Sequence, residues 1–278
     1  MYKKNINTTE SPITRFVLIL VALLFIFIVL IVPLFSIFLY ALEKGYEVYF
    51  ASILDEEALS AIQLTFITVL FAVPLNLVFG VSASWLIARF EFTGKSLLTS
   101  LIDIPFSVSP IISGMIFVLL FGAQGIFGQF LSDHDIKIIF AVPGIILVTV
   151  FVTFPFIARE LIPIMQSLGS EEEEAALILG ASGWQTFWNV TLPNIKWGIL
   201  YGVILCNARA MGEFGAVSVV SGHIRGLTNT IPLHVEILYN EYNYVGAFAV
   251  ASLLTLAAIA TLIIKEIVNY FSHKGGRQ

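Results

Sequence analysis

The segment Gly169-Ser-Glu-Glu-Glu-Glu-Ala-Ala-Leu-Ile-Leu-Gly-Ala-Ser-Gly-Trp-Gln-Thr-Phe-Trp-Asn-Val-Thr-Leu-Pro193 lies between two long apolar runs. Ser170, with Glu173 three residues later, predicts a capping box at the start of a helix. The acidic residues in its first turn favour the positive end of the helix dipole. A short helix over 171–179 would end at Gly180, because glycine is the usual residue just after a helix.

A second short helix is predicted in the rest of this segment. Ser182, with Gln185 three residues later, repeats the capping pattern. The helix would end before Leu192 and Pro193, since proline cannot donate the amide hydrogen bond of a helix interior. The two helices would present small and aromatic side chains suited to a groove in a partner, namely Ala175, Ala176, Ala181, Trp184, Phe187 and Trp188. The alternative is a segment lying on the membrane surface, but anionic headgroups would repel its four consecutive glutamates.

The apolar runs on both sides of this segment are long enough to cross a bilayer, which takes about 20 helical residues. Lipid offers the backbone no hydrogen bonds, and the runs do not alternate polar with apolar residues as barrel strands would. The predicted fold class is therefore an all-α integral membrane protein with six transmembrane helices. The six runs are 16–42, 59–88, 96–121, 138–165, 195–221 and 244–270, with Pro33 a predicted kink point.

Composition supports a lipid-embedded chain. Of its 278 residues, 58% are hydrophobic and 12% charged, and the mean hydropathy is +0.93. Soluble domains carry about 25% charged residues. The run 16–42 is too long for the apolar region of a signal peptide, so it is predicted to be the first spanning helix.

Several classes of function are disfavoured. A net charge of −5 argues against nucleic acid as a partner. The single cysteine, Cys206, predicts no disulfide, and the four histidines have no metal-ligand spacing. The chain has no phosphate-binding glycine loop and no nucleophile–base pair. We therefore expect no catalytic residue, no metal and no cofactor bound by this chain, and no enzyme activity of its own.

The distribution of Lys and Arg predicts cytoplasmic termini. With the N-terminus inside, ten basic residues fall on the inner side and three on the outer side. The inner residues are Lys3, Lys4, Arg15, Arg89, Lys95, Arg159, Lys196, Lys265, Lys274 and Arg277, and the outer ones are Lys44, Lys137 and Arg225.

Two charged residues lie deep within the fifth run. Arg209 and Glu213 are four residues apart and thus on one face of a helix. A charge at membrane depth costs at least about 2.5 kcal/mol on insertion scales, so it usually faces protein or a water-filled path. Two interpretations stay open: the pair lines the translocation path or its gate, or it fixes packing against a partner.

The loop resembles a known family motif. Glu174-Ala175-Ala176-x3-Gly180-x9-Val190-x-Leu192-Pro193 is similar to the EAA loop of binding-protein-dependent ABC importer permeases, with Val190 in place of the family's isoleucine. The resemblance implies that this loop is a coupling helix that docks in a groove of a cytoplasmic ATPase. Glu174, Ala175, Ala176 and Gly180 would form the docking surface, and Leu192 and Pro193 would close the motif.

Two further stretches, 207–216 and 222–242, resemble the sulfate and molybdate branch of these permeases, and more narrowly the W-type subunits of sulfate/thiosulfate importers. The resemblance covers about residues 58–265 and implies the type I ABC importer permease fold. It also implies a set of partners: an ABC ATPase dimer of the CysA type that uses the ATP, a second permease subunit of the CysT type, and a periplasmic sulfate/thiosulfate-binding protein. That binding protein is expected to contact the outer loop 222–242.

The resulting hypothesis is a permease that imports sulfate or thiosulfate across the bacterial inner membrane by alternating access. Its lipid-embedded core is predicted at 58–265, with the coupling loop at 169–193. Residues 1–57 would hold the N-terminal tail, first helix and first outer loop, and 266–278 a cytoplasmic tail. The alternatives are a molybdate or tungstate permease of the same type, a gradient-driven secondary transporter, and an intramembrane enzyme.

Overall fold

A computed structural model describes residues 12–275, with side chains from 13 to 269. Lys3, Lys4 and Arg277, used above to predict the orientation, lie outside the described residues. Within 12–275 the secondary structure is helical, without strands. The helices are α1 Pro12–Ile26, α2 Val32–Ala41, α3 Tyr46–Leu54, α4 Glu56–Arg89, α5 Lys95–Ser107, α6 Pro110–Phe121, α7 Gly128–Asp133, α8 Val142–Thr153, α9 Pro155–Leu168, α10 Glu171–Ile178, α11 Gly183–Thr186, α12 Leu192–Met211, α13 Gly215–Ser221, α14 Ile231–Asn240 and α15 Tyr244–Gly275.

The predicted all-helical membrane fold is confirmed. Among the described residues, four uninterrupted helices are long and apolar enough to span a bilayer, and two bent helix pairs bring the number to six if each pair is one span. The four are Ile13–Ala41, Glu56–Arg89, Val142–Leu168 and Tyr244–Asn269.

The sequence suggested that the third and fifth apolar runs, 96–121 and 195–221, each form one straight helix. The structure shows that each run is bent. Helices α5 and α6 meet at 108°, and the helix that ends with α12 meets α13 at 52°. The first bend follows from Pro110, which starts α6 and holds Ser109 in an extended conformation at φ −57°, ψ 137°. The second bend comes at Gly212, beyond which Glu213 supports a new helix start.

Two π-helical turns precede prolines. The turn Phe27–Ile31 lies just before Pro33, where a kink was predicted, and Phe187–Thr191 lies just before Pro193. The predicted helix end before Leu192 is wrong, because helix continues from Gly183 to Met211. The amide of Leu192 donates to the carbonyl of Phe187, five residues back, and this wider turn accommodates a proline that a regular helix interior would not.

Helix α4 lies at the centre of the bundle and packs against α8, α9 and α12. Glycines permit close contact there. A Cβ on Gly80 of α4 would lie 2.7 Å from Ile157 Cγ2, and one on Gly202 of α12 would lie 3.2 Å from Ile157 Cα. Small residues at such crossings let membrane helices approach through their backbones. Of these helices, α9 leads into the loop 169–193 and α12 follows it, so the loop is joined at both ends to helices that pack against α4.

The first span is packed over only part of its length. Its C-terminal part, α2, packs against α15. By contrast, the large apolar side chains from Phe16 to Ile31 are 43–66% exposed. This N-terminal part of the span therefore contributes little to the core of the chain.

Candidate functional site: the coupling loop and the charged residues of the bundle

Residues 169–193, the predicted coupling loop and called the coupling loop below, contain the predicted pair of short helices joined by a tight turn. Gly180 has φ +93°, in the left-handed region. Its amide donates to the carbonyl of Leu177 (3.0 Å), and the amide of Ala181 donates to the carbonyl of Ala176 (3.0 Å). These two bonds form a Schellman motif, which confirms the predicted helix end at Gly180.

Of the two predicted capping boxes, one is confirmed and one is wrong. Ser182 and Gln185 exchange hydrogen bonds, with the Gln185 amide 3.3 Å from Ser182 Oγ and the Ser182 amide 2.8 Å from Gln185 Oε1. Ser170 instead donates through its hydroxyl to Glu174 Oε1 at 2.5 Å and does not cap α10. Glu173, the expected partner of Ser170, is held by other groups.

Those groups belong to the transmembrane bundle. Arg89, the last residue of α4, donates from Nε to Glu173 Oε2 at 2.7 Å and from Nη1 to the carbonyl of Met165 in α9 at 2.6 Å. The hydroxyl of Thr191 donates to Glu173 Oε1 at 2.8 Å. The side chains of Arg89 and Glu173 are only 10% and 14% exposed. We call this arrangement the Arg89 clamp: it fastens α10 to α4, α9 and the turn that leads into α12.

The predicted ATPase-coupling residues lie on this clamped loop. Glu174, Ala175 and Gly180 are exposed, and Ala176 is partly buried. Leu192 is partly buried and Pro193 exposed at the start of α12. The loop also has an exposed apolar tip that the capping and family motifs did not predict, formed by Leu177, Ile178 and Leu179, which are 51%, 85% and 89% exposed. Three consecutive apolar residues directly before a turn glycine were the signal for it.

Replacing Gly180 with alanine is expected to weaken the turn through backbone strain alone. A Cβ at Gly180 would meet nothing within 4 Å, but an L residue in the left-handed region costs about 1–2 kcal/mol. Gly180→Asn should be milder, because asparagine tolerates this conformation better. The matched control is Gly183→Ala, which also has open space and lies in helical α11. Hydrogen exchange of the loop amides checks the order; equal protection in Gly180→Ala and Gly183→Ala would contradict it.

Arg209 and Glu213 form an ion pair, with Arg209 Nη1 2.5 Å from Glu213 Oε2. Glu213 lies in the break between α12 and α13, where its Oε1 accepts the amide of Ala216 at 2.9 Å and so satisfies the start of α13. The Glu213 side chain is 1% exposed and that of Arg209 is 33% exposed. The carboxylate is thus a buried structural group, and the guanidinium is the accessible partner.

A second ion pair was missed because Arg159 was counted with the cytoplasmic loops. Arg159 lies within the span Val142–Leu168 and pairs with Asp103 of α5, Nε to Oδ1, at 2.9 Å. Their side chains are 55% and 40% exposed. The presence of Arg159 inside the apolar run 138–165 was the available signal.

The predicted outer loop, 222–242, is tied to the start of α4. Arg225 pairs with Glu57 at 3.2 Å and also contacts Glu241 at the end of α14. The hydrogen bond that Arg225 donates to the carboxylate of Glu241 raises the pKa of Arg225 above its ordinary value. Burial lowers the pKa of His234 in α14. The loop therefore combines an exposed charged surface with a buried polar interior.

The described residues thus form the helical bundle of a multi-pass membrane protein, with ion pairs inside its candidate spans and a clamped helical loop. Residues 76–270 match the family described as binding-protein-dependent transport system inner membrane component. The chain belongs to this family and is a permease subunit.

The similar proteins agree with this family. The chain is 53% identical over 242 residues to "Sulfate transport system permease protein CysW" of Escherichia coli (strain K12), covering 87% of this chain and 83% of that protein. It is 32% identical to "Sulfate transport system permease protein CysT" of the same strain, covering 92% of each. Its fold matches a chain in the crystal structure of a bacterial alginate ABC transporter in complex with alginate pentasaccharide-bound periplasmic protein (TM-score 0.74, 17% identity, 94% of each chain). The fold is therefore that of an ABC importer permease.

Proposed function

We propose that this chain is the membrane-spanning permease of an ATP-driven importer for sulfate or thiosulfate. One observation supports the coupling role above others: the exposed tip of the coupling loop is joined through the Arg89 clamp to three helices of the bundle. Such a joint lets a displacement of the loop move the spans as a unit. The cargo is supported by the 53% identity to a sulfate permease.

The proposed topology has six spans, with each bent helix pair counted as one and both termini in the cytoplasm of a bacterium. This places the coupling loop inside and the loop 222–242 outside. If Arg159 is left out because it lies nine residues inside the end of its span, nine inner basic residues remain against three on the outer side, which still supports this orientation.

The proposed complex contains this chain, a second permease of the CysT type, an ABC ATPase dimer of the CysA type and a periplasmic sulfate/thiosulfate-binding protein. ATP is used by the ATPase chains, and this chain binds no cofactor. Closure of the ATPase dimer would displace the loop through Glu174, Ala175, Ala176 and Gly180, with Leu192 and Pro193 at its junction with α12. Arg209 and Glu213 would lie on the translocation path or at its gate.

The test is ATP hydrolysis by the purified complex in lipid nanodiscs, with and without sulfate-loaded binding protein. We expect the sulfate-loaded binding protein to stimulate ATP hydrolysis. Gly180→Asp and Glu174→Lys should abolish this stimulation while the complex stays assembled. The control is Gly183→Ala, which lies on the same loop at a position that the motif leaves open. If the chain binds no ATPase, or hydrolysis is insensitive to the loaded binding protein, the proposal fails.

The same assay separates the cargo alternatives. Greater stimulation by molybdate-loaded or tungstate-loaded binding protein than by the sulfate-loaded form would move the assignment to the molybdate branch. Among the described residues nothing favours a gradient-driven transporter over this family assignment.

A further inference from the structure

Asp103 and Arg159 lie within candidate membrane-spanning helices, yet their side chains are 40% and 55% exposed. The guanidinium of Arg159 is also 4.6 Å from the ring centre of Phe106. Phe106 packs edge-on against Phe156 at 5.1 Å. The pair is therefore held in a defined position on an aromatic wall while both charged groups stay accessible.

Its depth follows from its neighbours. Arg159 is nine residues from Leu168, the inner end of α9, which corresponds to about 14 Å at 1.5 Å per residue. Ile102, next to Asp103, belongs to the same apolar cluster as Ala158, next to Arg159. Both charges thus lie at one level in the inner half of a hydrocarbon layer about 30 Å thick.

Helix α5 carries a polar stripe through this level. Ser96, Ser100, Asp103 and Ser107 are spaced four, three and four residues apart, so they occupy a wedge of about 60° on the helix. The three serines are exposed and Asp103 is partly exposed. The stripe extends from the inner end of α5 to its bend.

Lipid is a poor environment for such a surface, because intramembrane charges face a water-filled path or another protein. Burial against a second permease would desolvate both members of the pair, at a cost that their attraction often fails to recover. A water-lined path keeps both hydrated and also accounts for the serines.

We propose that Arg159, oriented by Asp103, is an oxyanion-binding station on the inner half of the translocation path, with the serine stripe of α5 as its wall. This rests on the proposed function. Arg159 would contact the anion after it leaves the region of Arg209. The neighbouring carboxylate of Asp103 keeps the site weak, as a conduction site must be if the anion is to leave.

The test of the path is thiol accessibility in the assembled complex. The native Cys206 is fully buried, so the parental chain serves as the blank. Ser100→Cys is expected to react with a charged, membrane-impermeant thiol reagent from the inner side about tenfold faster than Leu101→Cys, since the reactive thiolate needs water. Leu101 is the matched control because it is 47% exposed on another face of the same helix.

The test of the station is transport. Arg159→Gln is expected to lower sulfate transport about tenfold or more, the effect of losing a hydrogen bond to a charged group, with assembly and stimulated ATP hydrolysis retained. Arg159→Lys should keep more transport than Arg159→Gln. Lys95→Gln, which removes one positive charge at the inner end of α5, should have little effect.

Three results would overturn the proposal: equal labelling of Ser100→Cys and Leu101→Cys, unchanged sulfate transport in Arg159→Gln, or loss of the second permease from purified Arg159→Gln complexes. The last result would place the pair in a subunit interface. A parental complex that does not transport sulfate would contradict the proposed function instead, and the labelling rates would still decide whether this path exists.

Discussion

Replacing Arg89 with methionine is expected to raise the hydrogen-exchange rate of the coupling-loop amides about 100-fold and to uncouple ATP hydrolysis from the loaded binding protein. The substitution removes the ion pair with Glu173 and the hydrogen bond to the Met165 carbonyl. It leaves the Glu173 carboxylate, 14% exposed, with only Thr191 as a partner. Removing one partner of a fully buried ion pair costs about 3–5 kcal/mol. Because Glu173 is still 14% exposed, we expect a smaller cost of roughly 2–3 kcal/mol. A local opening free energy lower by that amount raises the hydrogen-exchange rate about 100-fold.

The matched control is Lys95→Met. Lys95 also pairs with a glutamate, Glu91, at 2.7 Å, but the two side chains are 26% and 90% exposed. Exposed pairs four residues apart contribute only about 0.3–0.5 kcal/mol, so exchange should barely change. The double variant Arg89→Met/Glu173→Met should recover part of the protection, because it removes the unpaired carboxylate. Unchanged exchange in Arg89→Met would show that the clamp does not hold the loop.

The second large effect is a loss of thermal stability when either member of the Arg209–Glu213 pair is replaced. We expect the loss to be larger for Arg209 than for Glu213. Arg209→Gln leaves a carboxylate that is 1% exposed without its counter-charge, whereas Glu213→Gln leaves a guanidinium that is 33% exposed. The glutamine carbonyl can still accept the amide of Ala216. We therefore expect Arg209→Gln to lower the apparent melting temperature of the complex by about 5–10 °C, from a cost of about 3 kcal/mol, and Glu213→Gln to lower it less.

The double variant Arg209→Gln/Glu213→Gln tests whether the stability loss of Arg209→Gln comes from the unpaired charge or from the changed side-chain shape. It has no uncompensated charge, so its melting temperature should exceed that of Arg209→Gln. Thermal unfolding followed by tryptophan fluorescence measures all three variants under one condition. A Glu213→Gln variant as unstable as Arg209→Gln would show that the burial difference does not control the energetics of the pair.

Local signals in the sequence predicted local structure well. Gly180 ends its helix and Ser182 forms a capping box with Gln185, because each depends on residues within a few positions. Ser170 failed to pair with Glu173 because Arg89, 84 residues earlier in the sequence, takes that carboxylate. A capping pattern contains no information about a cation brought in by another helix.

Hydropathy predicted the positions of the apolar helices in the sequence but not the bends within them. The run 96–121 contains two helices at 108°, which the average apolarity of the run conceals. The same averaging placed Arg159 among loop charges, although it is part of a span. The roles of the coupling residues and of Arg209 and Glu213 stay predictions, since they depend on partners outside this chain.

The exposed N-terminal part of the first span has a consequence for tolerance to mutation. Because the side chains from Phe16 to Ile31 are 43–66% exposed, exchanging one for another apolar residue leaves neither a cavity nor a clash within this chain's own fold. In this segment, packing within the chain therefore places little restriction on the shape of a side chain. The surrounding bilayer still strongly disfavours polar side chains. In a saturation library, this segment should accept leucine, isoleucine, valine and phenylalanine nearly interchangeably, whereas Ile157, beneath two glycines, should not.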